Sequence, residues 1–125
     1  MTSDSGTVVA EVMSAFAAYE GALVDNDVAA LNDWFWPDPS VVRFGIADAQ
    51  NGYDEIVAWR AQAAPVPSGR TLSGTAVVPL GPTAAVVTTT FTYPGRATVG
   101  RQSQVWLRTD EGWRIASAHV SEVPM

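Results

Sequence analysis

Residues 100–120, GRQSQVWLRTDEGWRIASAHV, decide how the C-terminal half of the chain folds, because they read as two β-strands joined by a tight turn. Apolar and polar residues alternate on both sides of the tetrapeptide TDEG, which is typical of strands with two different faces. Gly112 stands where such a turn needs a residue in the left-handed conformation. The stretch therefore predicts an antiparallel hairpin.

The turn also predicts which residues of the two strands face each other. A type I turn with Gly112 as a bulge sets the register of the whole hairpin, since the strands then pair outward from it. The expected pairs are Arg101 with Ser121, Ser103 with His119, and Leu107 with Ile115.

One face of this hairpin is aliphatic near the turn and polar away from it. Its polar part carries Arg101, Ser103 and His119, which is the only histidine of the chain. We expect this face to be core near the turn and cavity wall further away, although His119 can equally be a structural histidine that bonds a serine. The opposite face is expected to join two copies of the chain in a dimer, and it carries Gln102, Gln104, Trp106 and Arg114.

Helical patterns come before this sheet. Residues 7–25 carry apolar residues at helical spacing (Val9, Val12, Phe16, Tyr19 and Leu23), and VAALNDWFW predicts a short helix with Asp27 as its N-cap. SVVRFGI alternates as a strand, and the segment after Asn51-Gly52 predicts a third helix. Further strands are expected at about 70–80, 84–93, 98–109 and 112–121.

This order of elements predicts one α+β domain over residues 1–125, with residues 1–6 as a flexible tail. Three N-terminal helices would pack on a curved, mostly antiparallel sheet and leave a conical cavity between the layers. The arrangement resembles the cone-shaped nuclear-transport-factor-2-like (SnoaL-like) fold.

Composition excludes several classes of chemistry. All seven basic residues are arginine, which excludes lysine Schiff bases and P-loops, and the absence of cysteine excludes thiolate catalysis and disulfides. No His, Asp or Glu residues have the spacing of a metal site, and no cofactor is expected. The net charge of −6 argues against nucleic acid or an anionic membrane as a partner. With no signal peptide and no apolar run near the ~20 residues of a membrane span, we expect a cytoplasmic protein.

Four further residues are candidates for a small-molecule site. Tyr19 is either a core residue of the first helix or an acid/base whose pKa a nearby arginine lowers. Arg43 is either exposed or a ligand-binding residue, since Gly45 on the same strand face leaves space beside the guanidinium. Arg60 either reaches the cavity or pairs with an acidic residue of its own helix. Trp36 belongs to an aromatic cluster expected in the core or the cavity wall.

Four blocks of the sequence resemble the signature blocks of the AtzH-like family of SnoaL-like proteins, which also includes the HpxZ proteins of oxalurate catabolism. They follow in family order and cover most of residues 9–121. The pattern RQSQ.W.R followed closely by GWRI..AHVS is the most specific part of the match. The blocks are YEGALVDNDVAALNDWFW, VRFGIADAQNGYDEIVAWR, GRQSQVWLR and GWRIASAHVS.

The resemblance implies a small homodimer with a cone-shaped pocket, associated with amidases that degrade ureido compounds. It also implies a decarboxylating amidohydrolase activity on 1,3-dicarboxyurea that gives allophanate. By the family pattern, Tyr19 and Arg43 are carried over as catalytic residues. The expected substrate-binding residues, whose roles rest on geometry alone, are Arg60, Arg101, Ser103, His119 and Trp36.

Three functions are compatible with these residues. The first is a cofactor-free hydrolase or decarboxylase, in which arginines hold a small planar anion and Tyr19 protonates the departing nitrogen. The second is a non-catalytic binding or accessory dimer that supports a neighbouring amidase. The third is an isomerase or cyclase of the ketosteroid-isomerase kind, for which Asp33 and Asp48 are the only candidate bases.

Overall fold

Three helices come before the long strands of the sheet. The computed structural model describes the backbone of residues 2–125 and the side chains of residues 5–125. The helices are α1 (Thr2–Asp25), α2 (Val28–Trp34) and α3 (Tyr53–Arg60). Asp27 caps α2 as the sequence predicts, because its carboxylate accepts a hydrogen bond from the Ala30 backbone N–H at 3.2 Å. α1 begins within the segment expected to be a tail, and residue 1 lies outside the described residues.

Six strands form a single sheet in the order β2-β1-β6-β5-β4-β3. Every neighbouring pair is antiparallel except β1 and β6, which are parallel. The strands are β1 (Val42–Phe44), β2 (Ala49–Asn51), β3 (Thr71–Pro79), β4 (Ala84–Thr92), β5 (Thr98–Thr109) and β6 (Gly112–Pro124). Three helices on a curved, mostly antiparallel sheet confirm the α+β fold predicted from the order of the elements.

The hydrophobic core lies between the helices and the inner face of the sheet. Val12 and Phe16 of α1 are buried in the same cluster as Trp106 of β5 and Ile115 of β6. The predicted apolar stripe of α1 is correct except at its start, where Val8 is buried and its neighbour is only half-buried. Each fully buried side chain of this size contributes about 1.5–3 kcal/mol relative to an exposed one.

α1 is long and apolar enough over residues 5–25 to cross a membrane by length and composition, contrary to the expectation that no segment reaches that length. In the folded domain, the same helix packs on the sheet, and its Glu11 and Glu20 carboxylates form hydrogen bonds to residues of the sheet. Glu11 accepts hydrogen bonds from Arg108 at 2.7 Å and from the Trp113 indole at 2.8 Å. α1 therefore forms one wall of the domain.

The hairpin of β5 and β6 has the predicted register at the end away from its turn and a shifted register near it. Both predicted polar pairs are confirmed, Arg101 with Ser121 and Ser103 with His119. Nearer the turn, β6 contains one more residue than β5, which is a β-bulge. Leu107 therefore faces Arg114 and not Ile115, so this part of the prediction was wrong.

The faces of β5, and of β6 beyond its bulge, are the reverse of those predicted, whereas Trp113 and Ile115 near the turn are buried as predicted. Trp106 and Gln104 lie on the inner face with exposed fractions of 0% and 2%, whereas Arg101 and Ser103 are exposed. The bulge is the first physical reason: it leaves Ile115 on the inner face and turns the polar part of β6 to the outer face, so the two parts do not share one wall.

Internal hydrogen bonds are the second reason for the reversal. Gln104 accepts a hydrogen bond from the Trp106 indole at 3.0 Å, and Gln102 donates to Glu20 at 3.1 Å. A glutamine with such partners can be buried, although its side chain suggests a surface position. The predicted dimer surface was therefore wrong in its residues, since Gln102, Gln104 and Trp106 face the helices and Arg114 is half-buried.

Candidate active site

A cavity of about 240 Å³ lies between α1, α3 and the inner face of the sheet. This is slightly below the usual range of ligand pockets, about 300–1,000 Å³, and suits a small ligand such as an organic acid. An apolar wall with a few convergent polar groups is typical of ligand sites. The lining includes Tyr19, Leu23, Arg43, Asp48, Trp59, Arg60, Arg70, Phe91, Gln102 and Gln104.

Arg43 is held in one orientation at the cavity wall. β1 places it opposite Gln50 of β2, and its side chain is only 13% exposed. Its guanidinium carbon lies 3.8 Å from the centroid of the Trp59 ring. Nη1 donates to the Asp48 carboxylate at 2.6 Å and to Gln50 Oε1 at 2.9 Å. Ring stacking and two hydrogen bonds together fix this guanidinium.

Gly45 provides the space for the ion pair between Arg43 and Asp48. A Cβ atom at this position would collide with the Asp48 carboxylate and lie 2.8 Å from Arg43 Nη1. The space expected beside Arg43 is therefore filled by Asp48. Partial burial acts to raise the pKa of Asp48, but hydrogen bonds from Gln50 and Arg43 outweigh it and hold that pKa below its usual value.

Arg60, at the end of α3, lines the cavity and forms no ion pair with a carboxylate of residues 5–125. The residue is 7% exposed, and its Nε atom has no hydrogen-bond partner among the described residues. Burial is the largest cause of the lowered pKa of Arg60, and repulsion from Arg43 adds to it, whereas Tyr19 and Asp48 act in the opposite direction. Because a guanidinium stays charged in proteins, its burial without a counter-ion is unfavourable until an anion joins it.

Tyr19 brings a phenol to the same region. Its ring packs edge-on against Trp106 with 6.5 Å between centroids. Burial raises the pKa of Tyr19, although the arginines Arg60 and Arg43 act in the opposite direction. Desolvation of the phenolate is larger than the lowering by nearby cations that the sequence predicts, so the pKa of Tyr19 is raised overall. Tyr19 is therefore protonated at neutral pH, as a proton donor must be, although its raised pKa makes it a weaker acid than a free phenol.

Arg70 forms a buried network that the sequence reasoning missed. Its Nε and Nη2 atoms donate to the two carboxylate oxygens of Glu20 at 2.8 and 3.2 Å. Nη1 donates to the Tyr93 hydroxyl at 2.8 Å, and Nη2 also donates to Gln102 Oε1 at 3.1 Å. Burial acts to lower the pKa of Arg70, but the Glu20 ion pair outweighs it and raises that pKa. With four hydrogen bonds from its guanidinium, Arg70 is fixed as part of the cavity wall.

Two sequence signals could have indicated this network. Glu20 directly follows Tyr19 on the buried side of α1, and Gln102 alternates with Gln104 and Trp106 on β5. Read together, a carboxylate and two amides beside buried aromatic residues indicate an internal polar network and not a surface.

Of the four other predicted site residues, the structure places one at the cavity and three outside it. His119 lies at its edge as an exposed side chain, with its ring 5.9 Å from that of Phe44. Arg101 and Ser103 line a shallow groove on the outer face, so their prediction as cavity residues was wrong because of the reversed strand faces. Trp36 does not line the cavity: it is half-buried, and its backbone N–H donates to the Ile115 carbonyl.

Neither candidate base for an isomerase is suited to that role. Asp33 is exposed and lies outside the cavity. Asp48 lines the cavity, but its carboxylate is bonded to Arg43, and its lowered pKa makes it a weaker base. Among the side chains of residues 5–125, no cluster of three His, Asp or Glu residues could hold a metal ion.

The chain is similar to a known protein family and to several solved structures. A family model described as AtzH-like matches residues 1–125. A cystatin-like fold protein from Burkholderia xenovorans LB400 is 45% identical, with a TM-score of 0.92 over 95% of this chain and 94% of that one. A DUF3225-family protein of unknown function from Pectobacterium atrosepticum SCRI1043 is 42% identical, with a TM-score of 0.90 over 94% of this chain and 91% of that one. A search of curated proteins finds no match.

The fold extends to more distant structures. A nuclear transport factor 2-like superfamily protein from Salmonella enterica serovar Typhimurium LT2 is 24% identical, with a TM-score of 0.70 over 95% of this chain and 92% of that one. This likeness establishes the nuclear-transport-factor-2-like fold that the order of elements predicted.

Proposed function

The chain belongs to the AtzH-like family, as its sequence blocks predict, and we propose that it is a cofactor-free hydrolase or decarboxylase of small ureido acids. The substrate class is an N-carboxylated urea or a related ureido acid, of which 1,3-dicarboxyurea is the example implied by the family resemblance. The reaction would belong to the catabolism of nitrogen compounds.

The observation that carries this proposal is the buried guanidinium of Arg60 beside the Tyr19 phenol. Arg60 lines a cavity of about 240 Å³ and forms no ion pair with a carboxylate of residues 5–125, so its guanidinium can bind an anionic group of a small ligand. Gln104 also lines the cavity, and its side-chain oxygen is occupied by Trp106. Its amide N–H groups remain as donors for the carbonyl oxygen of a ureide.

In the proposed reaction, Tyr19 acts as the general acid. The N–C bond of the N-carboxylated urea breaks, carbon dioxide departs, and the electron pair left on nitrogen takes a proton from the Tyr19 hydroxyl. Water then returns a proton to the phenolate, and the hydroxide that remains adds to the carbon dioxide to give bicarbonate. Burial favours the protonated phenol before the reaction, and Arg60 and Arg43 stabilise the phenolate that forms during it.

Replacing Tyr19 with phenylalanine tests this role. We expect turnover of ureido acids to fall by roughly 10²- to 10⁴-fold, the range for one acid/base group, with ligand binding nearly unchanged. Tyr53→Phe is the matched control, since the Tyr53 hydroxyl donates to the Asn32 carbonyl at 3.1 Å outside the cavity. Steady-state kinetics would compare 1,3-dicarboxyurea, allophanate and oxalurate as substrates.

Two results would contradict the proposal in different ways. Full activity of the Tyr19→Phe protein would remove the phenol from the mechanism. Binding of ureido acids by the wild-type protein without any turnover would instead favour the accessory binding module.

A further inference from the structure

One tryptophan ring contacts the guanidinium groups of two cavity arginines. The guanidinium carbon of Arg43 lies 3.8 Å from the centroid of the Trp59 ring, and that of Arg60 lies 4.5 Å from the same centroid. Trp59 belongs to α3 and Arg43 to β1, so the ring joins two elements of the domain. All three side chains line the cavity. The Trp59 ring therefore brings two positive charges to one part of the cavity wall.

These two like charges repel each other, and the ring offsets part of that repulsion. The repulsion from Arg43 contributes to the lowered pKa of Arg60, whose largest cause is burial. An aromatic face attracts a cation through the negative charge of its π-system. Unlike a carboxylate, it does so without accepting hydrogen bonds from the guanidinium. An arginine held in this way keeps its N–H donors for a ligand.

The hydrogen bonds of Arg43 agree with this arrangement. Within residues 5–125, the side chain of Arg43 donates only through Nη1, to Asp48 and Gln50. Its Nε and Nη2 atoms are therefore left for a carboxylate of a ligand, which can bond two parallel N–H groups of one guanidinium.

We propose that Trp59 is a positioning residue of the site, which holds the Arg43 and Arg60 guanidinium groups together so that both bind one ligand. The inference rests on the proposed function, because it takes the carboxylates of a ureido acid as the groups that are bound. The two carboxylates of 1,3-dicarboxyurea then meet two guanidinium groups.

Substitution of Trp59 tests this role, because leucine removes the aromatic face and phenylalanine keeps one. Isothermal titration uses the full-length protein and malonate, a stable dicarboxylate whose two carboxyl groups are ionised at about pH 8. Trp59→Leu should weaken malonate binding at least about tenfold, whereas Trp59→Phe should stay within about threefold of wild type. A residue that only fills space would respond alike to these two apolar substitutions.

Trp34→Leu is the matched control. Trp34 is also half-buried and faces an arginine, with the guanidinium carbon of Arg114 at 5.6 Å from its ring centroid, but it does not line the cavity. This substitution should leave the malonate affinity unchanged. Equal weakening by leucine and phenylalanine at Trp59 would overturn the inference, and so would an affinity that neither substitution changes.

Tryptophan fluorescence keeps the inference testable even if the Trp59→Leu protein does not fold. A carboxylate bound to Arg43 and Arg60 changes the electric field at the Trp59 ring, so malonate should alter the emission of the wild-type protein. The Trp59→Phe protein should bind malonate without this change. A wild-type emission that malonate leaves unaltered would overturn the inference, as would a wild-type protein that does not bind malonate. Turnover of ureido acids is assayed separately, and its absence beside the expected binding would overturn only the proposed function.

Discussion

Replacing Glu20 with glutamine should destabilise the protein strongly, because it leaves Arg70 buried without its counter-ion. The side chains of Glu20 and Arg70 are 10% and 3% exposed. The Glu20 carboxylate forms an ion pair with Arg70 and accepts a hydrogen bond from Gln102. Breaking a buried ion pair on one side costs about 3–5 kcal/mol. Glutamine keeps the size and one acceptor oxygen, so we expect the lower end, about 3 kcal/mol. For a chain of this length, that loss lowers Tm by roughly 10 °C.

Urea denaturation followed by tryptophan fluorescence measures this loss. Glu11→Gln is the control, since it breaks a surface pair with Arg108 in which both side chains are 40% exposed, and it should change the midpoint far less. Equal destabilisation by the two variants would refute the reasoning, since burial would then not determine the cost. A wild-type midpoint for the Glu20→Gln protein would refute it as well.

Two further predictions concern acid stability and assembly. The pKa of Asp48 is lowered in the folded protein, so its contribution to stability is present above its ordinary value of 3.8 and is lost as the pH falls below it. The Asp48→Asn protein should therefore lose less stability in acid, and an unfolding-versus-pH curve identical to wild type would contradict this. We also propose a homodimer, now through the outer sheet face that carries Ser103 and Val105. Val105→Glu should then give a monomer by light scattering, and a persistent dimer would place the interface elsewhere.

The order of the helices and strands could be predicted from the sequence because it depends on local patterns. Helical spacing, the Asp27 cap and the glycine of the final turn each act within a few residues. The placement of Arg43 could not be decided from local pattern, because both faces of SVVRFGI carry apolar residues. In the structure Val41 is buried, and Arg43 lines the cavity.

The inner face of β5 could not be predicted in the same way. Which residues of β5 face inward depends on partners far along the chain. Gln102 is 82 residues from Glu20, and Arg70 is 50 residues from Glu20. Without these partners, glutamine reads as a surface residue and the opposite face reads as the cavity wall. The single extra residue of β6 also leaves no local signal, yet it changes which side chains share a face.

The network around Arg70 has a consequence for the order of events in folding. The strands β4, β5 and β6 form two successive hairpins, which can close over short loops. The hydrogen bonds of Glu20 instead join residues that are 50 and 82 positions apart in the chain. We expect the network to form after the rate-limiting barrier, as the last part of the cavity wall to assemble. The Glu20→Gln protein should then refold at nearly the wild-type rate and unfold faster, whereas slowed refolding in stopped-flow experiments would place these bonds in the transition state.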